Sequence, residues 1–411
     1  MKVSVIGLGY IGLPTAAVIA SNNINVVGID INESIVNKIN AGKIHIVEKD
    51  LDDLVRNVVK SKKLNASTLY EEADVFVIAV PTPIKDNKEP NLSYVENAVR
   101  EISKVLKKGD LIILESTSSV GTTEMMANLI SRLRKDLDIP NSKHNKHSSF
   151  DINIAYCPER VLPGNILKEL VLNDRVIGGI TQECSIAAMR FYEIFVKGRC
   201  LLTNSRTAEL CKLVENSYRD VNIGFANELS IISDKLDINV WELISLANHH
   251  PRVNILEPGP GVGGHCIAVD PYFIIDSCPN ESVIISAARK VNKHKPEYII
   301  EKVKESVSML NVPTSNISIC CLGIAFKPNI DDLRESPAKY ITQQVLQNSN
   351  NETHYIVEPN IKEHNEFKLT DYKTAVAKAD IIIFLVGHNE FKLLDINSNK
   401  LILDFCGITK L

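Results

Sequence analysis

Nothing in this 411-residue chain approaches the ~20-residue apolar run that a bilayer-crossing helix needs. The opening residues, MKVSVIGLGY, pass from a short apolar stretch straight into a glycine turn, which is not the shape of a secretory signal. A cytoplasmic protein without a membrane partner is therefore expected. The nine cysteines include no Cys-x-x-Cys pair, and no group of His, Cys and carboxylate residues has zinc-like spacing. No metal is expected, and most of the cysteines read as small core residues in a reducing compartment. The nearest candidate ligand cluster, KHNKH at 143–147, falls in the polar stretch 134–150 and reads as a solvated loop. A surplus of one charge is missing too. The net charge is −4 with both signs interspersed, which argues against a nucleic-acid partner and leaves room for a local basic pocket. No short repeat or low-complexity segment is visible.

What is present is an ordinary globular composition, 45% hydrophobic and 23% charged. The chain is too long for one core, so two or three domains are expected. Its first half alternates β-branched runs with helical spacing. KVSVIGLG (2–9), NVVGID (25–30), DVFVIAVPTP (74–83), LIILEST (111–117) and NIAYCPE (153–159) read as buried parallel strands. NESIVNKINAG and YVENAVREISKVLKKG read as helices between them, the second stopped by Lys-Lys-Gly. Such alternation implies a doubly wound α/β sheet. From about Thr203 a helical period runs for some thirty residues without proline, enough for a helix of about 45 Å that ties domains together or packs on a copy of itself. NVWELISLANHH continues as helix. Strand texture returns in NISICCLGIAF (316–326), HYIVEP (354–359), DIIIFLVG (380–387) and KLILDFCG (400–407). The expected architecture is two Rossmann-like doubly wound parallel-sheet domains, residues 1–200 and 306–411, joined by a helical central domain, 201–305, that carries the long helix.

GLGYIG (7–12) follows the first strand and opens a helical pattern, and the second strand ends in Asp30. A lone G-x-G-x-x-G is a weak signal, but an acidic residue about 20 positions on is what a dinucleotide site requires. Gly7 allows the tight turn, Gly9 lets the backbone approach a pyrophosphate, and Gly12 lets helix pack on strand. The helix N-terminus then faces the phosphates. Asp30 would accept from ribose hydroxyls and repel a 2′-phosphate, favouring NAD over NADP. Thr82 in AVPTP and Thr117 in ESTSSVGTT close two further strands, on the side where parallel sheets bind ligands. Each is a candidate cofactor or water contact, though alone it reads as a strand cap.

Lys212, Asn216 and Arg219 fall at i, i+4 and i+7 of the long helix, so one face carries two cations and an amide. By itself that is a solvated stripe. Cys266 changes its weight. It lies in GPGVGGHCIAVDP (259–271), where four glycines let a loop wrap closely around a sugar or phosphate. A thiol with an ordinary pKa of about 8.5 is activated by a nearby lysine or histidine cation. An NAD site, a glycine-wrapped cysteine and a lysine face together suggest oxidation through a covalent thioester. The adjacent His265 either tunes the thiol, bonds a substrate group or points away.

The stretches VIGLGYIGLPTA, AVPTP, ESTSSVGTTE, NIAYCPERVLPG, NSRTAELCKLVENSYRDVNIGFANELS, GPGVGGHCIAVDPYF and GIAFKPNIDDLRESPA resemble the UDP-glucose/GDP-mannose dehydrogenase family over most of the chain. CPERVLPG, HHPRVNIL and GPGVGGHCIAVDP point to the branch whose substrate is UDP-N-acetyl-D-mannosamine. The resemblance implies oxidation of the sugar C6 alcohol to an aldehyde and then a carboxylate, with two NAD per cycle. Cys266 would hold the thiohemiacetal and thioester, Lys212 and Asn216 would stabilise the oxyanion, Asp270 would position water, Glu159 would be the base of hydrolysis and Thr117 would help hold the water. It further implies cofactor contacts at Tyr10, Ile11, Asp30, Thr82 and Arg334. Substrate contacts are implied at Arg160, Val161, Lys212, Asn216, Arg219, His250, Arg252, Gly263, Lys327 and Pro328. Arg252 is implied to reach across a homodimer interface. The service of a bacterial surface polysaccharide is implied as well. The rival sugars are UDP-N-acetylglucosamine, UDP-N-acetylgalactosamine and UDP-glucose, which residue spacing cannot separate. A two-electron dehydrogenase would not need Cys266, and a non-catalytic UDP-sugar binder would be expected to lose Cys266, Lys212 or Glu159.

Overall fold

Alternating side chains along β-branched strands cover both faces of two separate sheets. The computed structural model describes residues 1–141, 150–162, 164–310, 313, 317–348, 352–396 and 399–409, so the histidine stretch 143–147 lies outside the described residues. The chain divides into one compact unit of residues 1–214 and 272–277 and a second of 215–271 and 278–411.

The first unit holds eight strands: β1 (Lys2–Ile6), β2 (Asn25–Ile29), β3 (Leu64–Ser67), β4 (Val75–Ile78), β5 (Leu111–Leu114), β6 (Asn153–Tyr156), β7 (Arg175–Gly179) and β8 (Cys200–Asn204). Their order is β3-β2-β1-β4-β5-β6-β7-β8. Val75, Val77, Leu111 and Ile113 face one core cluster, and Phe76, Ile78, Ile112 and Leu114 face the other, as a sheet covered by helices on both faces requires. The expectation of an all-parallel sheet needs one correction, because β6 and β7 pair antiparallel, Ala155 with Gly179 and Tyr156 with Gly178. Carried three residues past the ladder, that register sets Arg175 opposite Glu159. Strands β3, β7 and β8 had no clear mark in the sequence. β3 (LNAS) and β7 (RVIGG) carry polar or glycine residues instead of an apolar run, and β8 (CLLTN) ends in two polar residues. Strands β1, β4 and β5 end earlier than their apolar texture: Gly7, Ala79 and Glu115 each still donate an N–H to the neighbouring strand, and the rest of GLG, AVPTP and EST leaves the ladder.

The second unit holds β9 (Ser318–Leu322), β10 (Thr353–Val357), β11 (Ile381–Phe384) and β12 (Leu401–Asp404) in the order β10-β9-β11-β12, with every pairing parallel. Cys320 and Cys321 point to opposite faces and are fully buried in the two core clusters, which is the packing role expected of them. Helices Val283–Met309 and Pro337–Gln347 pack together in this unit. The long helix is Ser205–Lys235, 31 residues, and its first ten belong to the first unit. Helix Asp270–Ser277 is likewise shared, with Asp270 and Pro271 in the second unit. Among the described residues no helix is long and apolar enough to cross a membrane.

Candidate active site

In the first unit the chain leaves β1 through Gly7, whose φ of +89° suits glycine. A Cβ at Gly12 would lie 1.7 Å from the Gly7 carbonyl oxygen, whereas one at Gly9 would meet nothing within 4 Å. The outer glycines are therefore consumed by packing, and the middle one keeps the mouth of the turn clear. Helix Gly12–Ser21 starts at once. Asp30, just past β2, accepts from the Leu8 N–H at 3.0 Å and the Asn32 N–H at 2.9 Å, which leaves carboxylate lone pairs for hydroxyl donors. Tyr10 is exposed, and Ile11, Thr82 and Thr117 are half-buried, all beyond the C-terminal ends of β1, β4 and β5. This side of the sheet fits a dinucleotide, with its pyrophosphate on the glycine turn.

Beside it, past β6, sits a buried polar cluster. The Glu159 carboxylate is 7% exposed, pairs with Arg175 at 2.7 Å and accepts from the Arg160 N–H at 2.7 Å. Arg175 also donates to the Leu170 carbonyl and stacks over Tyr192. The Tyr192 hydroxyl donates to Glu115 at 2.7 Å. Burial pushes the Glu115 carboxyl up to about 7, opposed by the Arg175 charge and assisted by that of Glu159. Cys157 is buried here as well, its thiol pushed up to about 12 by burial, so it is no nucleophile. Lys212, on the long helix, donates to the Glu159 carbonyl at 2.9 Å. The structure thus joins Lys212 with Glu159; Arg160, whose guanidinium donates to the Asp174 carbonyl, and the half-buried Val161 follow Glu159 in the chain. Sequence reasoning missed Glu115 and Arg175. Glu115 looked like a strand end, and Arg175 lies in a strand whose antiparallel return was not foreseen.

In the second unit Cys266 is exposed, and all nine cysteines are reduced. Its loop is shaped by the glycines before it. A Cβ at Gly263 would lie 2.5 Å from the Glu335 carbonyl, Gly264 has φ +79° against the Phe326 ring, and the Gly264 N–H donates to the Arg334 carbonyl. After it, the Cys266 carbonyl accepts from the Val269 and Asp270 N–H groups, at 3.0 and 2.8 Å, and so opens helix Asp270–Ser277. The Asp270 carboxylate, 3% exposed, accepts from the Asn216 amide, whose oxygen accepts from Arg219. Asn216, Arg219, Asp270 and the cysteine loop therefore form one connected group. His265 is exposed, and Arg334 pairs with Asp332 at 2.6 Å. Lys327 is half-buried and Pro328 exposed on the loop that follows β9. His250 and Arg252 are exposed after helix Val240–Ala247, where the Arg252 N–H donates to His250 Nδ1. A second buried group was not anticipated. Asp220 pairs with Arg289 at 3.3 Å and accepts from Asn292, and burial, against the Arg289 charge, pushes its carboxyl up to about 6.

Comparison with known proteins bears on what these parts do. Residues 1–196 match the NAD binding domain of the UDP-glucose/GDP-mannose dehydrogenase family, residues 206–294 its central domain and residues 320–410 its UDP binding domain. The chain is 57% identical to a UDP-N-acetyl-D-mannosamine dehydrogenase of Campylobacter jejuni, covering 98% of this chain and 99% of the relative. It is 53% identical to an NDP-N-acetyl-D-galactosaminuronic acid dehydrogenase of Ralstonia nicotianae, covering 99% and 96%. Among solved structures, a UDP-D-ManNAc dehydrogenase from Pyrococcus horikoshii superposes with a TM-score of 0.87 at 38% identity, covering 99% of this chain and 96% of that one.

Proposed function

This chain belongs to the UDP-glucose/GDP-mannose dehydrogenase family and is an NAD-dependent oxidoreductase; from that premise we propose that it oxidises the C6 alcohol of UDP-N-acetyl-D-mannosamine to UDP-N-acetyl-D-mannosaminuronate. The observation that carries the proposal is Cys266, the exposed thiol on a glycine-shaped loop whose carbonyl is tied to Asp270. Bound NAD, held by Gly7, Gly9, Tyr10, Ile11, Gly12, Asp30, Thr82, Thr117 and Arg334, supplies the hydride acceptor, and four electrons require two equivalents.

The chain's own residues supply the rest. An aldehyde has no oxygen substituent to expel hydride. The Cys266 sulfur adds to its carbon, restores a tetrahedral donor and keeps the reactive intermediate tethered. Lys212 and Asn216 stabilise the negative oxygen that develops at that carbon. Once a thioester stands on Cys266, Glu159 takes a proton from the attacking water, with Thr117 and Asp270 placing that water, and the thiol is released. Arg160, Val161, Arg219, His250, Arg252, Gly263, Lys327 and Pro328 bind the sugar nucleotide, whose two diphosphate charges suit several cations drawn from different segments.

In this reading residues 1–200 bind NAD, 201–305 carry the catalytic lysine and cysteine, and 306–411 bind the UDP moiety. Leu210, Val214, Tyr218, Phe225 and Ile232 are exposed along one stripe of the long helix. At 100° per residue that stripe lies opposite Lys212, Asn216 and Arg219. Such a stripe supports a homodimer built on this helix, with Arg252 reaching the partner's site. A cytoplasmic enzyme serving bacterial surface-polysaccharide synthesis completes the proposal.

The Ralstonia relative favours one alternative, the same chemistry on the N-acetylgalactosamine compound. The test is incubation of the purified chain with NAD and each of UDP-N-acetylmannosamine, UDP-N-acetylgalactosamine, UDP-N-acetylglucosamine and UDP-glucose. Two NADH per sugar, with the highest kcat/KM on the mannosamine compound, is the expected result. One NADH per sugar defeats the thioester route, and preference for another sugar transfers the assignment to it. Cys266→Ala should form no acid.

A further inference from the structure

Two fully buried side chains in the second unit, Glu358 and His388, belong to none of the groups above. Glu358 directly follows β10, and His388 lies four residues past β11, so the pair flanks the exit of the central strand β9. His388 Nε2 lies 3.1 Å from Glu358 Oε2. The same carboxylate oxygen accepts from the Ile324 and Ala325 N–H groups at 2.9 Å each, and its other oxygen accepts from Asn360. On the far side of the imidazole, the Asn329 N–H donates to Nδ1 at 2.9 Å. A nitrogen that accepts carries no proton, so this is the Nε2–H tautomer, donating to Glu358.

The bond to Asn329 matters because of what the loop does. Asn329 stands two residues after Lys327, in the left-handed region at φ +61°, and its side-chain oxygen accepts from the Asn389 N–H at 2.9 Å. The Phe326 N–H closes the same loop onto the Asp332 carbonyl, and further along the Arg334 carbonyl holds the Gly264 N–H, two residues before Cys266. One end of this loop therefore rests on the imidazole and the other on the cysteine loop.

We propose that His388, oriented by Glu358, is a positioning residue: its Nδ1 pins Asn329 and thereby sets the loop that carries Lys327 against the loop that carries Cys266. This rests on the reading of Lys327 and Pro328 as sugar-nucleotide contacts. The dyad itself touches no reacting atom. Its effect falls mainly on sugar-nucleotide binding, through Lys327 beside Asn329, and less on NAD, whose proposed contact Arg334 lies at the other end of the loop.

Three variants test it. His388→Phe keeps the volume and loses the bonds to Glu358, Asn329 and the Asn360 side chain, His388→Asn keeps an acceptor near the Nδ1 position, and Glu358→Gln keeps the shape but loses the charge and turns an amide NH2 toward one set of the N–H donors that the carboxylate accepts. The expected result is that His388→Phe raises the KM for the UDP-sugar about tenfold, with a smaller rise in the KM for NAD, and that His388→Asn recovers most of the loss. Amide hydrogen exchange in 326–335 should quicken in His388→Phe and Glu358→Gln, with β9 and β11 unchanged. Should His388→Phe fail to fold, the other two variants carry the comparison. Unchanged exchange in 326–335, or a kcat that falls with both KM values unmoved, overturns the proposal. A wild-type chain that oxidises no UDP-sugar defeats the functional reading alone, since the exchange experiment still decides this one.

Discussion

The Lys212 ammonium donates to the backbone carbonyl of Glu159 at 2.9 Å. One bond thus ties the amine proposed to stabilise the oxyanion to the backbone of the residue whose carboxylate is proposed to activate water. Lys212→Met should keep most of the helix packing and lose the charge. Its kcat is expected to fall about 10²–10³-fold, the range for removing one oxyanion donor, with thermal melting nearly unchanged. Steady-state kinetics and a melting curve check this, and a kcat within tenfold of wild type removes Lys212 from the chemistry.

Arg175 and Glu159 are 3% and 7% exposed at their side chains and 2.7 Å apart. Deleting one partner of a buried pair leaves the other charge uncompensated. Arg175→Met should cost about 3–5 kcal/mol of stability in urea unfolding. Adding Glu159→Gln to it should restore more than half of that loss. A neutral single variant would show that the pair is not what holds this cluster.

The Glu115 carboxyl, raised by burial to about 7 from an ordinary 4.5, binds a proton in the folded chain over a range where the unfolded chain has released it. Its contribution to stability is complete below about 4.5 and is lost as the pH rises through about 7, amounting to at most ~3 kcal/mol. Asp220, raised to about 6, acts in the same direction over a lower window. Glu115→Gln cannot titrate. The stability difference between wild type and this variant should therefore shift toward the variant between pH 5 and pH 7.5. Urea midpoints at the two values measure it, and parallel pH dependences would contradict the assignment.

Gly12 has no room for a methyl group, since its Cβ would stand 1.7 Å from the Gly7 carbonyl oxygen. Gly12→Ala must displace the turn. NAD affinity should drop at least tenfold, because backbone N–H groups of that turn are what a pyrophosphate meets. UDP affinity, measured by calorimetry, should stay within about twofold if the UDP part of the substrate is held by the second unit. Equal losses of both would mean general unfolding instead.

The glycine turn with Asp30 and the cysteine loop were legible because each is a local constraint. Spacing within one turn or one helix is independent of the rest of the chain, so G-x-G-x-x-G before a helix, or Lys212, Asn216 and Arg219 on one helical face, can be read directly. Strands β1, β2, β4, β5 and β6 announced themselves as apolar runs, whereas β3, β7 and β8, of similar length, are interrupted by polar or glycine residues, which leaves no run to read. The 31 residues of the long helix showed as one uninterrupted pattern.

Arg175 shows where such reading stops. Its meeting with Glu159 follows from β7 running antiparallel to β6, a pairing choice that no residue in RVIGG records. Tyr192 meets Glu115 across 77 residues, and His388 meets Glu358 across 30. By itself the sequence determined which residues could do chemistry and which of them share a face, because those follow from backbone geometry over a few positions. Only the tertiary structure decided which buried partners orient them, because a carboxylate, a guanidinium or an imidazole takes its role from whatever charge and donors the fold brings beside it in a medium too poor in water to replace them.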